Sequence, residues 1–194
     1  MRRRSTTATI AAAAMLALPA LAHADNTGGT GTGSAPPATA TPTPTPARDL
    51  AHPTVAGTRT KLVKGVAYAP AAAPARVKQL IWSVNTILRK PYVYGGGHAK
   101  WNDRGYDCSG LVSYAMHAAG LLKESLSAPA FFRFGTYGAG RWITLWVRSG
   151  HVFAVVGGLR LDTTPYPSRG IEGPRWRPQM RDTSAFTPRH PAGL

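Results

Sequence analysis

Apolar residues recur at helical spacing just after Pro74, where Val77, Leu80, Ile81, Val84, Ile87 and Leu88 form one face and Pro91 forces a stop. A second helix is predicted to start near Cys108. It would bury Leu111, Val112, Ala115, Met116 and Ala119 and end at Gly120, a C-terminal cap. Beyond that the pattern becomes strand-like. "WITLWV" (142–147) is β-rich, and "HVFAVV" and "LRLDTT" flank Gly157-Gly158, a dipeptide suited to a two-residue hairpin turn. Such a turn sets Phe153 opposite Asp162 and His151 opposite Thr164. Asp162 then lies diagonal to His151 on one face, and Thr163 points to the other. The fold class expected is α+β, one domain over residues 76–194.

Upstream the pattern fails. Arg2 to Arg4, an apolar run from Ile10 to Leu21 and Ala22-His23-Ala24 read as a secretory signal peptide over 1–24. The run is too short to span a bilayer and no longer one follows, so no transmembrane anchor is expected. Residues 25–75, rich in Gly, Thr, Ala and Pro and containing "TPTPTP", read as a low-complexity linker; its part from Arg48, with Leu62, Val63, Val66 and Tyr68 among Pro53, Pro70 and Pro74, is left open between loose packing on the domain and disorder. The implied location is the periplasm, the cell wall or the medium, and the chain is expected to act as a monomer.

Charge narrows the partners. The sequence carries 23 basic and 8 acidic residues, +15, and without Arg2, Arg3 and Arg4 it has 20 against 8, or +12. Anionic surfaces attract such a chain. Export favours a bacterial wall over nucleic acid, and no arginine-rich recognition helix, paired-cysteine finger or aromatic-basic repeat supports nucleic-acid binding.

The candidate chemistry lies in "RGYDCSGLVSYAMHAAG" (104–120), which contains the only cysteine. A lone thiol cannot form an internal disulfide, and without context its commoner fate is burial as a small hydrophobe. Asp107, however, is a good N-cap residue. Cys108 then begins a helix, where the dipole favours a thiolate and first-turn N–H groups can hold a developing oxyanion. Small Ser109 and Gly110 leave room for substrate. The Gly95-Gly96-Gly97 run lacks the Gly-Lys-Ser/Thr of a phosphate loop and reads as a flexible turn. One cysteine with scattered histidines lacks zinc-ligand spacing, and no metal is expected.

A thiolate nucleophile needs a histidine. His23 leaves with the signal peptide, His52 lies in the linker and His190 in the Pro-rich tail. His117, nine residues past Cys108, falls on the opposite helix face and about 13 Å away. His98, in the loop before the nucleophile, suits substrate binding or solvent as well as catalysis. His151 opens a strand after Ser149-Gly150 and is the candidate base, with Asp162 as its orienting partner; a turn one residue longer would substitute Thr163.

"YVYGG" (92–96), "DCSG" (107–110) and "HV" (151–152) together resemble the ordered signature of the NlpC-type cell-wall endopeptidases, which are papain-like cysteine peptidases. The resemblance spans roughly Val77 to Thr164. It implies a papain-like fold, with the nucleophile at the start of a helix packed on a small antiparallel sheet that carries the histidine. It also implies catalytic Cys108 and His151, with Tyr92, Asp107 and Ser109 near the oxyanion or substrate. The activity implied is hydrolysis of amide bonds in peptidoglycan stem peptides, often between D-glutamate and a diamino acid, through a cysteine thioacyl intermediate and with no metal or organic cofactor. Two positions differ: "GAGRWITLWVRSG" replaces the usual Pro-Gly-Asp before the central strand, and the third polar residue, commonly histidine, is Asp162. Two rival readings remain. One is a noncatalytic wall-binding module using the basic surface and Trp101, Trp142, Trp146 and Trp176; the other is a thiol amidase or acyltransferase with a different substrate.

Overall fold

The computed structural model describes residues 52–165, 170 and 172–194, all within the compact unit Thr45–Leu194. The expected signal peptide, and the expected linker as far as residue 51, lie outside the described residues. The fold is α+β. Helices α1 (Ala75–Asn85) and α2 (Cys108–Ala118) accompany a six-stranded antiparallel sheet and a second, three-stranded sheet.

The three-stranded sheet is β1 (Thr54–Val55), β2 (Lys61–Val63) and β3 (Val66–Pro70), in the order β1-β3-β2. It corrects the linker boundary expected at residue 75. Ala67, Ala69 and Ala73 are buried in the main core, and Thr60 donates from Oγ1 to the Val156 carbonyl at 2.9 Å. Asn85, the last residue of α1, fastens this sheet: its Nδ2 donates to the Ala67 carbonyl at 2.8 Å and its Oδ1 accepts from Ala67 N at 3.1 Å. Alanines and short strands bury real surface here without producing a strong alternation in the sequence.

α1 starts directly after Pro74, whose fixed φ suits a helix entry, and buries Val77, Leu80, Ile81 and Val84. It ends one turn before the sequence pattern does, where the Thr86 hydroxyl turns back to the Ser83 carbonyl at 2.7 Å. Ile87 stays buried beyond the helix end. α2 closes as expected. Gly120 has φ +66°, its N–H reaches the His117 carbonyl at 2.8 Å, and the Leu121 N–H reaches the Met116 carbonyl at 2.9 Å. That pair of bonds is a Schellman cap, which needs the left-handed conformation glycine adopts freely.

The large sheet is ordered β4-β9-β5-β6-β7-β8, from β4 (Thr136–Tyr137), β5 (Ile143–Arg148), β6 (His151–Val156), β7 (Leu159–Asp162), β8 (Arg175–Arg177) and β9 (Thr187–His190). Gly157 and Gly158 both have positive φ, +54° and +82°, and the β6–β7 ladder pairs Ala154 with Leu161 and Val156 with Leu159. This is the two-residue turn and register read from the sequence. Val152, Ala154, Val156, Leu159 and Leu161 join α1 and α2 in the core, while His151, Phe153, Arg160 and Asp162 alternate onto the opposite face. The tail, to which the sequence pattern assigns no element, supplies two strands: β8 extends the sheet beyond β7 and β9 inserts between β4 and β5.

Candidate active site

The segment before α2 is held tightly against the helix it precedes. Gly96 and Gly97 are buried, and a Cβ on Gly110 would overlap the Gly96 carbonyl oxygen. The flexible turn expected at Gly95–Gly97 is therefore a close backbone contact, and the glycines are needed for that approach. Asp107 caps α2 as predicted, with Oδ1 accepting from Gly110 N at 2.7 Å, and its Oδ2 accepts from Gly95 N at 3.0 Å. The cap thus joins the glycine loop to the first turn and fixes the half-buried Cys108 between them.

His151 lies at the start of β6. Its Nε2 is 3.0 Å from Asp162 Oδ1, and the Asp162 side chain is wholly buried. Cys108 is near enough to act on the charge of the His151 ring, and Nε2 is the nitrogen that faces Asp162. Burial is the largest single influence on the ring and lowers its pKa. The Asp162 hydrogen bond and charge, together with the neighbouring Cys108, outweigh it and raise the pKa above the ordinary 6.5. For Asp162, burial is again the largest influence but acts upward, and it is overcome by the His151 hydrogen bond and charge, the Thr164 N–H and the Arg160 charge. The carboxyl is held below its ordinary 3.8. Thr163 is not beside the ring; its hydroxyl is buried and without a hydrogen-bond partner among the described residues.

Tyr92 faces Cys108 and Asp107. Burial, followed by those two negative neighbours, raises its phenol above the ordinary 10.0. Ser109 donates from Oγ to Asp107 Oδ1 at 3.1 Å. These residues border a cavity of about 350 Å³, which also includes Tyr94, Gly95, His98, Pro129 and Gly150. The sequence left His98 between substrate contact and solvent. It sits in this cavity wall, with Nε2 at 3.1 Å from both Asp107 Oδ1 and Ser109 Oγ, and Nδ1 at 2.8 Å from Ser125 Oγ. His117 is elsewhere, stacked on Trp101 with centroids 3.9 Å apart. Among the described residues no three His, Cys, Asp or Glu side chains converge as a metal site requires, and no helix is long and apolar enough to cross a membrane.

Two arginines at the site were not found in the sequence. Arg160, two residues before Asp162 on β7, is buried with Nη1 3.6 Å from Asp162 Oδ2. The i, i+2 spacing in "LRLD" could have revealed it, since alternate strand residues share a face. Arg181 lies between β8 and β9 and donates from Nη1 to the same Oδ2 at 3.1 Å. No local pattern announces a residue whose position depends on where two tail strands dock.

No protein-family model and no curated protein matches the chain. Solved structures with a similar trace include a hypothetical invasion protein of Mycobacterium tuberculosis, Rv1477, at 21% identity and a TM-score of 0.43, with 59% of this chain and 61% of that one aligned. Another is the peptidoglycan hydrolase RipB of the same organism, at 22% identity and a TM-score of 0.45, with 60% of this chain and 68% of that one aligned.

Proposed function

We propose that the protein is an exported cysteine peptidase that hydrolyses amide bonds in peptidoglycan stem peptides. The observation that carries this reading is the His151–Asp162 pair, hydrogen-bonded and buried, acting on the chain's only thiol at the capped start of α2. A thiol that served only as core filler would need neither a neighbouring imidazole nor a carboxylate behind it.

In the proposed reaction His151 Nδ1 takes the thiol proton and the Cys108 thiolate attacks the scissile carbonyl carbon. The tetrahedral oxyanion is held by the N–H groups of Cys108 and Ser109, because the cap already takes that of Gly110, with the Tyr92 hydroxyl nearby. Collapse expels the amine, which receives its proton from His151, and leaves a thioester on Cys108. Water, deprotonated by His151, then releases the carboxylate and restores the thiol. Asp162 accepts from Nε2–H, which keeps Nδ1 free as the base and favours the imidazolium. Every group in this sequence belongs to the chain, and no metal or organic cofactor takes part.

The substrate assignment rests on the resemblance of "YVYGG", "DCSG" and "HV" to the NlpC-type signature, on the export signal and on the basic charge of the chain. The bond proposed is that between D-glutamate and a diamino acid. Digestion of purified peptidoglycan, followed by mass spectrometry of the soluble fragments, tests it. The protein should release fragments cut at that bond and Cys108→Ala should release none. Equal release by both would remove Cys108 from the chemistry, and fragments cut at another amide would reassign the substrate.

A further inference from the structure

The segment that joins β8 to β9 brings Arg181 and Phe186 onto the face of the sheet that carries His151. The Arg181 guanidinium carbon lies 5.5 Å from the Phe153 ring centroid and 5.4 Å from that of Phe186. Phe186 in turn meets the His151 ring edge-on at 6.3 Å. The Arg181 side chain is only 13% exposed. Two aromatic rings and a carboxylate thus hold a cation where long side chains usually move freely.

The carboxylate it meets is already engaged. Asp162 Oδ1 accepts from His151 Nε2 and from Thr164 N, each at 3.0 Å. Arg181 is the hydrogen-bond donor to Oδ2, at 3.1 Å, whereas Arg160 Nη1 stands 3.6 Å away and makes no hydrogen bond among the described residues. Two permanent cations therefore surround one anion. The group carries a net positive charge before His151 gains a proton, and Arg181 Nη1 comes within 3.2 Å of His151 Nε2. A guanidinium has only donors, so it cannot accept the Nε2–H; it fixes the acceptor and adds its field to the ring.

Building on the peptidase reading, we propose that Arg181 is a positioning residue for the Asp162–His151 pair and that its charge sets the pH range in which Cys108 and His151 form the thiolate–imidazolium state. A nearby cation favours the deprotonated form of any acid. Arg181 thus lowers both the pH at which the thiol ionises beside the ring and the pH at which the imidazolium loses its proton. The other groups facing His151 are Cys108 from α2, Asp162 and, behind it, Arg160 from β7, and Arg148, its cross-strand partner on β5. Tyr92 and Asp107 act on the sulfur from the loop before α2.

The test follows the rate at which iodoacetamide alkylates Cys108 as pH is raised, in the purified full chain, where the single cysteine makes the readout specific. Arg181→Met and Arg181→Gln should move the midpoint upward by about 1 pH unit, the size of shift that one charge within 4–6 Å produces, and Arg181→Lys should keep it near the wild-type position. The neutral pair is judged on whichever variant retains wild-type near-ultraviolet circular dichroism. An unmoved midpoint in a folded neutral variant would overturn the proposal, as would an equal shift in Arg181→Lys. Loss of the fold in both neutral variants would assign Arg181 a purely structural role and overturn it as well. The alkylation needs no stem peptide, so a protein that left peptidoglycan uncut would still report on Arg181.

Discussion

On one side of the Cys108 sulfur stand residues 92–110, where the defining contacts are backbone against backbone and the partners are close in sequence. Gly96 packs on Gly110, and the Asp107 carboxylate spans from Gly95 N to Gly110 N. On the other side stand His151, Asp162, Arg160 and Arg181, where the defining contacts are between charged or titratable side chains and the last member comes from the tail. A wall made of backbone approach has no slack, because an added methyl group has nowhere to go. A wall made of a charge network can keep its shape after a substitution yet change its proton affinities. Substitutions on the first side should therefore be felt as stability, and those on the second as rate and pH dependence.

The largest effect expected on the charged side is that of His151→Ala. Removing the proposed base should lower turnover of a soluble muropeptide about 1,000-fold, roughly 4 kcal/mol of barrier, while the chain stays folded at the assay temperature despite the lost Asp162 partner. A melting temperature that collapsed with activity would erase the contrast between the walls. On the backbone side, Gly110→Ala forces a Cβ into the Gly96 carbonyl and should cost about 3 kcal/mol of stability, measurable by urea unfolding. An unaffected unfolding midpoint would show that the loop has slack after all.

Asp162→Asn keeps an acceptor for His151 but loses the charge that favours the imidazolium, so turnover should fall tenfold or more, at least about 1.4 kcal/mol of barrier. The same substitution reads out in stability against pH. Asp162 is held below its ordinary 3.8, so its contribution is present above that value and is lost as pH falls through the folded-state pKa. The raised pKa of His151 works in the opposite sense, adding stability below the unfolded value and losing it as pH rises through the folded one. Asp162→Asn should flatten the acid limb of a melting-temperature profile, and an unchanged acid limb would show that Asp162 is not linked to folding. The smallest effect belongs to Thr163→Val. It removes a buried hydroxyl that has no partner among the described residues, so it should leave turnover within a factor of two and stability unchanged or slightly higher. A larger loss of turnover than in Asp162→Asn would reverse the assignment of these neighbours.

How much of this could be read in advance follows the same division. The Asp107 cap, the Cys108 helix start and the Gly120 stop are decided by neighbours a few residues apart, and all were legible. So was the β6–β7 register, because a two-residue turn with two positive φ angles leaves no freedom in the pairing that places Asp162 by His151. The sheet of β1, β2 and β3 was not legible: its core residues are alanines, its strands run from two to five residues, and Pro53 and Pro70 look like linker punctuation. Arg181 escaped for a different reason. Its partner Asp162 is 19 positions away, and the approach depends on where β8 and β9 dock in the sheet.

The proposed reaction forms a bond at Cys108, and that bond can be sought directly. A stem-peptide ester, chosen so that acylation outruns hydrolysis, would be mixed with the protein, quenched in acid and followed by mass spectrometry of the intact chain and of its proteolytic peptides. The proposed peptidase should show a mass gain equal to the acyl group, carried by the peptide that contains Cys108 and absent from Cys108→Ala. An acyl group on any other residue, or hydrolysis of the same ester by Cys108→Ala at the wild-type rate, would contradict it.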